Sequence, residues 1–99
     1  MNIIYTEQAL NGLEEALGFI AQKVSNEKLI VIRNQILDKA DTLLLQPNQG
    51  QKEPYLEHLG IDHRRIIVSH YKIIYRIVEE FIYIIDIFDS RQSPDKMRG

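Results

Sequence analysis

Arg65, Lys72, Arg76 and Arg91 are the residues of this sequence best equipped to do chemistry. A guanidinium carries a rigid fork of donors that can clamp a phosphate or carboxylate, and an ammonium can stabilise negative charge developing on oxygen. His63 adds a group whose unperturbed pKa lies close to neutrality, suited to moving a proton. The cations are unevenly spread. From Met1 to Leu45 four Lys/Arg stand against six Asp/Glu, whereas from Ile61 to Val78 four (Arg64, Arg65, Lys72, Arg76) meet Asp62 alone. The net charge of −2 gives no case for a globally basic nucleic-acid binder. Any anionic partner should therefore meet one local patch.

Other constellations carry less. With no cysteine, disulfides and thiolate metal sites are excluded. His58, His63 and His70 lack the spacing of a helical metal pair, so no metal and no cofactor is expected. Ser69-His70 lies in a turn and makes a poor nucleophile–base couple, because such couples are recognised by geometry and not by adjacency. Glu79-Glu80 reads as a solvated turn, and no Gly-rich phosphate loop exists. The N-terminal residues lack the pattern of a signal peptide, and no apolar run approaches the roughly 18 residues needed to span a bilayer. The expectation is a cytoplasmic chain forming one domain over residues 1–99.

The elements that must position the cations follow from periodicity. "NIIY" (Asn2–Tyr5) is a short β-branched strand, and Thr6 a helix N-cap. Leu10, Leu13, Leu17, Ile20 and Val24 recur at spacings of three and four, the stripe of an amphipathic helix. Ser25-Asn26 starts a second helix carrying Leu29, Ile32, Ile36, Ala40 and Leu43, which Pro47 and Gly50 end. Two helices joined so closely must run antiparallel. After a surface connection come strands at about His63–Val68, Tyr71–Val78 and Phe81–Phe88, with turns at Ser69-His70 and Glu79-Glu80. The order is β-α-α-β-β-β, an α+β domain with a helical hairpin on one face of a small, mostly antiparallel sheet.

Strand alternation turns this into face assignments. With a two-residue turn at Glu79-Glu80, Tyr71, Ile73, Tyr75, Ile77, Ile82, Ile84 and Phe88 share the face under the helices, where Asp86 is an exception without a place. The other face takes Lys72, Ile74, Arg76, Val78, Phe81, Tyr83, Ile85 and Ile87. A two-residue turn at Ser69-His70 adds Arg65 to it, and a three-residue turn favours Arg64. Arg91, with the parity of Ile87, falls at its rim. The expectation is that Arg65, Lys72, Arg76 and Arg91 converge. The plainer reading of such a stripe is solvation and edge protection.

Three patterns together resemble the ParE/RelE superfamily of toxins from type II toxin–antitoxin systems, also described as plasmid stabilisation proteins. They are the P-x-x-G break from Pro47 to Gly50, the strand pair "RRIIVSHYKIIYRI", and a last strand running into "FDSRQSPDKM". The resemblance spans nearly the whole chain. It implies a growth-inhibiting toxin neutralised by a cognate antitoxin, as part of a homodimer or a toxin–antitoxin hetero-oligomer. ParE-like members inhibit DNA gyrase through protein contact; RelE-like members are ribosome-dependent mRNA endonucleases.

By position, Arg65 and Lys72 match basic sheet residues of the RelE branch, Arg91 matches the arginine after the last strand, and His63 falls near a position that is often lysine. Metal-independent cleavage would use Arg65 and Arg91 to clamp phosphate and Lys72 to stabilise the charge or donate a proton. The C-terminal tyrosine of that branch has no match, since Met97 stands there. The long helical hairpin and the D-x-R-Q-x-P ending favour the ParE branch. There, Arg76, Phe81, Tyr83, Ile87 and Arg91 are the candidate partner-binding residues, with aromatic anchors central.

Overall fold

In a computed structural model describing residues 1–99, strand β1 (Asn2–Tyr5) leads directly into helix α1 (Glu7–Ala21). Thr6 makes that junction: its Oγ1 accepts the Ala9 N–H at 3.0 Å and donates to the Ile84 carbonyl at 3.0 Å, capping the helix and tying it to the sheet. Helix α2 (Asn26–Asp41) begins at Ser25, whose Oγ accepts the Lys28 N–H at 3.1 Å. Both caps fall where the sequence places them.

Beyond α2 the chain adds a two-residue strand, β2 (Gln51–Lys52), that sequence periodicity does not reveal, and then a short 3-10 helix at Pro54–Leu59. Strands β3 (Arg64–Val68), β4 (Tyr71–Val78) and β5 (Phe81–Asp89) follow. The sheet order is β1-β5-β4-β3-β2, with β1 parallel to β5 and the other pairs antiparallel. Both hairpin turns are two residues long, since Val68 pairs with Tyr71 and Val78 with Phe81.

The helical hairpin covers one face of the sheet. Leu13, Ala16, Ile36 and Leu43 meet Ile73, Tyr75, Ile82, Ile84 and Ile87 in the main core. The face of α1 that packs is lined by small residues. Ala9, Gly12 and Ala16 are buried, while Leu10, expected in the core, is 49 % exposed. Gly12 permits the closest approach, because a Cβ there would lie 2.6 Å from the Ile87 carbonyl oxygen.

One irregularity reorders the faces. Tyr75 pairs with Ile84 but Ile74 pairs with Asp86, so Ile85 is an extra residue in β5, a β-bulge. It falls where β1 ends, and the Ile85 carbonyl takes the Gln8 side-chain amide at 2.9 Å. Past it every β5 side chain changes side. Ile87 moves into the helix-side core, and Phe88 moves to the second face, both opposite to expectation. Asp86 leaves the helix-side core and lies at the β5 edge against Gly12.

The second face is not open throughout. The 3-10 helix contributes Leu56 and the segment after β5 contributes Met97, and together with Ile74 and Phe88 they form a smaller core there.

Candidate functional site

Arg65, Lys72 and Arg76 do share the second face. Arg65 pairs with Ile74 across the β3–β4 hairpin, and Lys72 and Arg76 lie on the same side of β4. They are not free cations. Glu53, the residue that starts the 3-10 helix, is fully buried; its Oε2 accepts the Tyr55 N–H at 3.2 Å. Its Oε1 takes the Lys72 ammonium at 2.7 Å and lies 4.0 Å from Arg65 Nε. Arg65 donates from Nη1 to the Lys52 carbonyl at 2.6 Å, and Arg76 from Nε to the Ile61 carbonyl at 2.8 Å. The stripe thus holds the 52–61 segment across the sheet. Sequence reasoning missed Glu53, although a Glu-Pro step opening a short helix, close in sequence to a basic hairpin, was the available signal.

Arg91 does not join them. With the bulge it falls on the helix side, where its Nε and Nη2 grip Asp89 at 3.0 and 2.8 Å. That fork holds the Asp89 carboxyl below its ordinary range. The neighbouring Tyr71 hydroxyl is pushed up by burial. Arg91, Lys28 and His70 rim a groove at the connected end of the helical hairpin, with Ile20, Val24, Ile32, Val68 and Tyr71 among its lining. Ile87, expected as a partner anchor, is 2 % exposed beneath the helices and can contact no partner in this fold.

His63, the candidate proton carrier, does not face an open site. It is buried, and neither ring nitrogen has a partner. Burial, then the nearby Arg76 charge, push its pKa down, so it is held neutral. Arg64 turns to the helix side, bonded to the Gly50 carbonyl at 3.0 Å and paired with Asp62 at 3.5 Å. Gly50 is also fixed by Tyr75, whose hydroxyl accepts its N–H at 3.0 Å and donates to the Pro47 carbonyl at 2.8 Å. This is the structural use of the P-x-x-G break.

What stays accessible is the other end of the second face. Phe81 and Tyr83 lie there half-buried, with ring centroids 6.0 Å apart. Arg76 pairs across from Tyr83, Ile4 flanks it on β1, and Val78 is 37 % exposed. The surface is aromatic and apolar with one guanidinium, the composition of a protein contact more than of a phosphate clamp.

A family model described as the ParE toxin of the type II toxin–antitoxin system parDE matches residues 3–94. The chain belongs to that family. A chain from the solved structure titled "Chromosomal ParDE TA system from P. aeruginosa" superposes on this ParE-family fold with a TM-score of 0.73. It is 18 % identical, over 90 % of this chain and 95 % of that one, which speaks for the fold alone. No curated protein matches the chain. The ParE branch, favoured by the helical hairpin and the D-x-R-Q-x-P ending, is therefore the one to which the chain belongs. No helix of this ParE-family chain is long and apolar enough to cross a membrane.

Proposed function

We propose that this chain is the toxin of a parDE-type pair, that it arrests DNA gyrase by protein contact in the cytoplasm, and that a cognate antitoxin neutralises it. Beyond family membership, the observation that carries this reading is the ion pair between Glu53 and Lys72. A lysine bound at 2.7 Å to a fully buried carboxylate is committed to structure. Arg65 is committed beside it, and Arg91 is on the far side of the sheet. The cations that RNA cleavage would require are neither free nor gathered.

A docking surface needs no such constellation. Arg76, Phe81 and Tyr83 supply an accessible contact for the target. The groove rimmed by Lys28, His70 and Arg91 suits an antitoxin segment with apolar anchors and acidic residues.

The deciding experiment uses purified protein in two assays side by side: DNA supercoiling by gyrase, and cleavage of ribosome-bound mRNA. Inhibited supercoiling with intact mRNA is the expected result, with inhibition weakened tenfold or more in Tyr83→Ala and relieved by antitoxin. Cleaved mRNA with normal supercoiling overturns the proposal.

A further inference from the structure

After β5 the chain folds back over the second face of the sheet and is fastened there at adjacent residues. Met97 is buried against Leu56, Ile74 and Phe88. The Arg98 N–H donates to Asp86 Oδ2 at 3.0 Å, and the Arg98 guanidinium lies 3.9 Å from Glu15 on α1. Asp86 is only 3 % exposed. Its Oδ1 is pressed against α1 at Gly12, where a Cβ would stand 2.6 Å away. The carboxyl is thus enclosed between α1 and the returning segment, with no side-chain cation bonded to it. A cleft lined by Glu15, Asp86, Asp95, Lys96 and Arg98 opens beside it.

We propose that Ser93–Gly99 is a latch whose closure is set by the ionisation of Asp86: closed over the neutral carboxyl, released when the carboxyl charges and draws in water. Burial pushes Asp86 from 3.8 up to about 6, against the Arg98 and Ile87 N–H groups and the Arg98 charge, while Glu15 adds to the rise. The other charges at the site are Asp95 and Lys96 on the latch and Asp89, which Arg91 holds.

The sign follows from linkage. The enclosed carboxyl binds its proton more tightly than a solvated one, so closure is fullest below about pH 4 and weakens as pH rises through about 6. If the latch accounts for all of the burial, the closed-to-open ratio changes by at most about a hundredfold across that window. Release uncovers Leu56, Ile74 and Phe88, a socket that Met97 fills in the closed form.

The chain has two methionines, which makes the test direct. In full-length protein labelled with 13C-methyl methionine, Met97 reports the socket and Met1, 55 % exposed, serves as a solvent reference. Between pH 3.5 and 8.5 the Met97 resonance is expected to move toward that of Met1 with a midpoint between about 4 and 6, below the value of the fully enclosed carboxyl because the open form holds its proton less tightly. In Asp86→Asn it should keep the closed position throughout. His63, which lies under Gly99, would release the latch on acidification instead, so direction separates the two groups.

The carboxyl resonance of Asp86 in the unmodified chain gives a second reading that needs no variant. A Met97 signal that does not move, that moves identically in Asp86→Asn, or whose midpoint differs from that of Asp86 overturns the proposal.

Discussion

Replacing Glu53 with alanine removes the carboxylate bonded to Lys72 and the cap of the 3-10 helix at once. Breaking a buried ion pair by deleting one partner typically costs about 3–5 kcal/mol. Lys72 keeps 18 % side-chain exposure through which to reach water, so a loss of about 2–3 kcal/mol is expected, read from urea unfolding. Adding Lys72→Met should recover part of it. Asp86 predicts a pH signature of its own. Its folded-state pKa of about 6 against 3.8 means that the stability it contributes is present below about pH 4 and lost as pH rises through 6. Asp86→Asn should therefore be more stable than the natural chain at pH 8, by up to about 3 kcal/mol, with the gap closing near pH 4. Thermal melts of both proteins across that range measure it.

At the scale of elements, two glycines in α1 make opposite forecasts. Nothing lies within 4 Å of a Cβ built on Gly18, so Gly18→Ala should stabilise by about 1 kcal/mol through helix propensity. At Gly12 a Cβ would meet the Ile87 carbonyl oxygen and Asp86 Oδ1 at 2.6 Å, so Gly12→Ala should destabilise by about 1–3 kcal/mol as α1 is forced off β5. A third forecast concerns the turns. Ser69 and Glu79 hold φ of +53° and +56°, at the position where tight hairpins favour glycine. Glu79→Gly should raise stability by about 0.5–1 kcal/mol on denaturant unfolding, the left-handed strain outweighing the added freedom of the unfolded chain.

Much of this scaffold was legible in advance, because caps and helical spacing are written in local residue types. Thr6, Ser25 and the pairing Val78–Phe81 stand as read, and the Ser69-His70 turn, left open between two and three residues, proves to be two. The bulge was not, since Ile84 and Ile85 are chemically identical and neither announces itself as the extra residue. Asp86 was the available clue. A carboxylate that cannot be placed on an apolar face asks for a slip of one residue, and that slip also relocates Ile87, Phe88 and Arg91. The site was therefore half legible: Arg65, Lys72, Arg76, Phe81 and Tyr83 were put on the right face, but their neutralisation by Glu53 depends on a loop fold that no periodicity encodes.

Across the whole molecule, the two ends of the chain are joined in the sheet. β1 lies parallel to β5, and Thr6 bonds the Ile84 carbonyl across 78 positions. β5 also pairs along β4 and lies beneath α1, so a chain truncated after Glu80 should show no cooperative unfolding by circular dichroism. Contacts between such distant positions form late, because the loop they close must be ordered first. During synthesis β1 has no neighbour in the sheet, and α1 lacks the strand it packs on, until β5 has been translated. A nascent chain of this design cannot complete its fold until its manufacture is almost over.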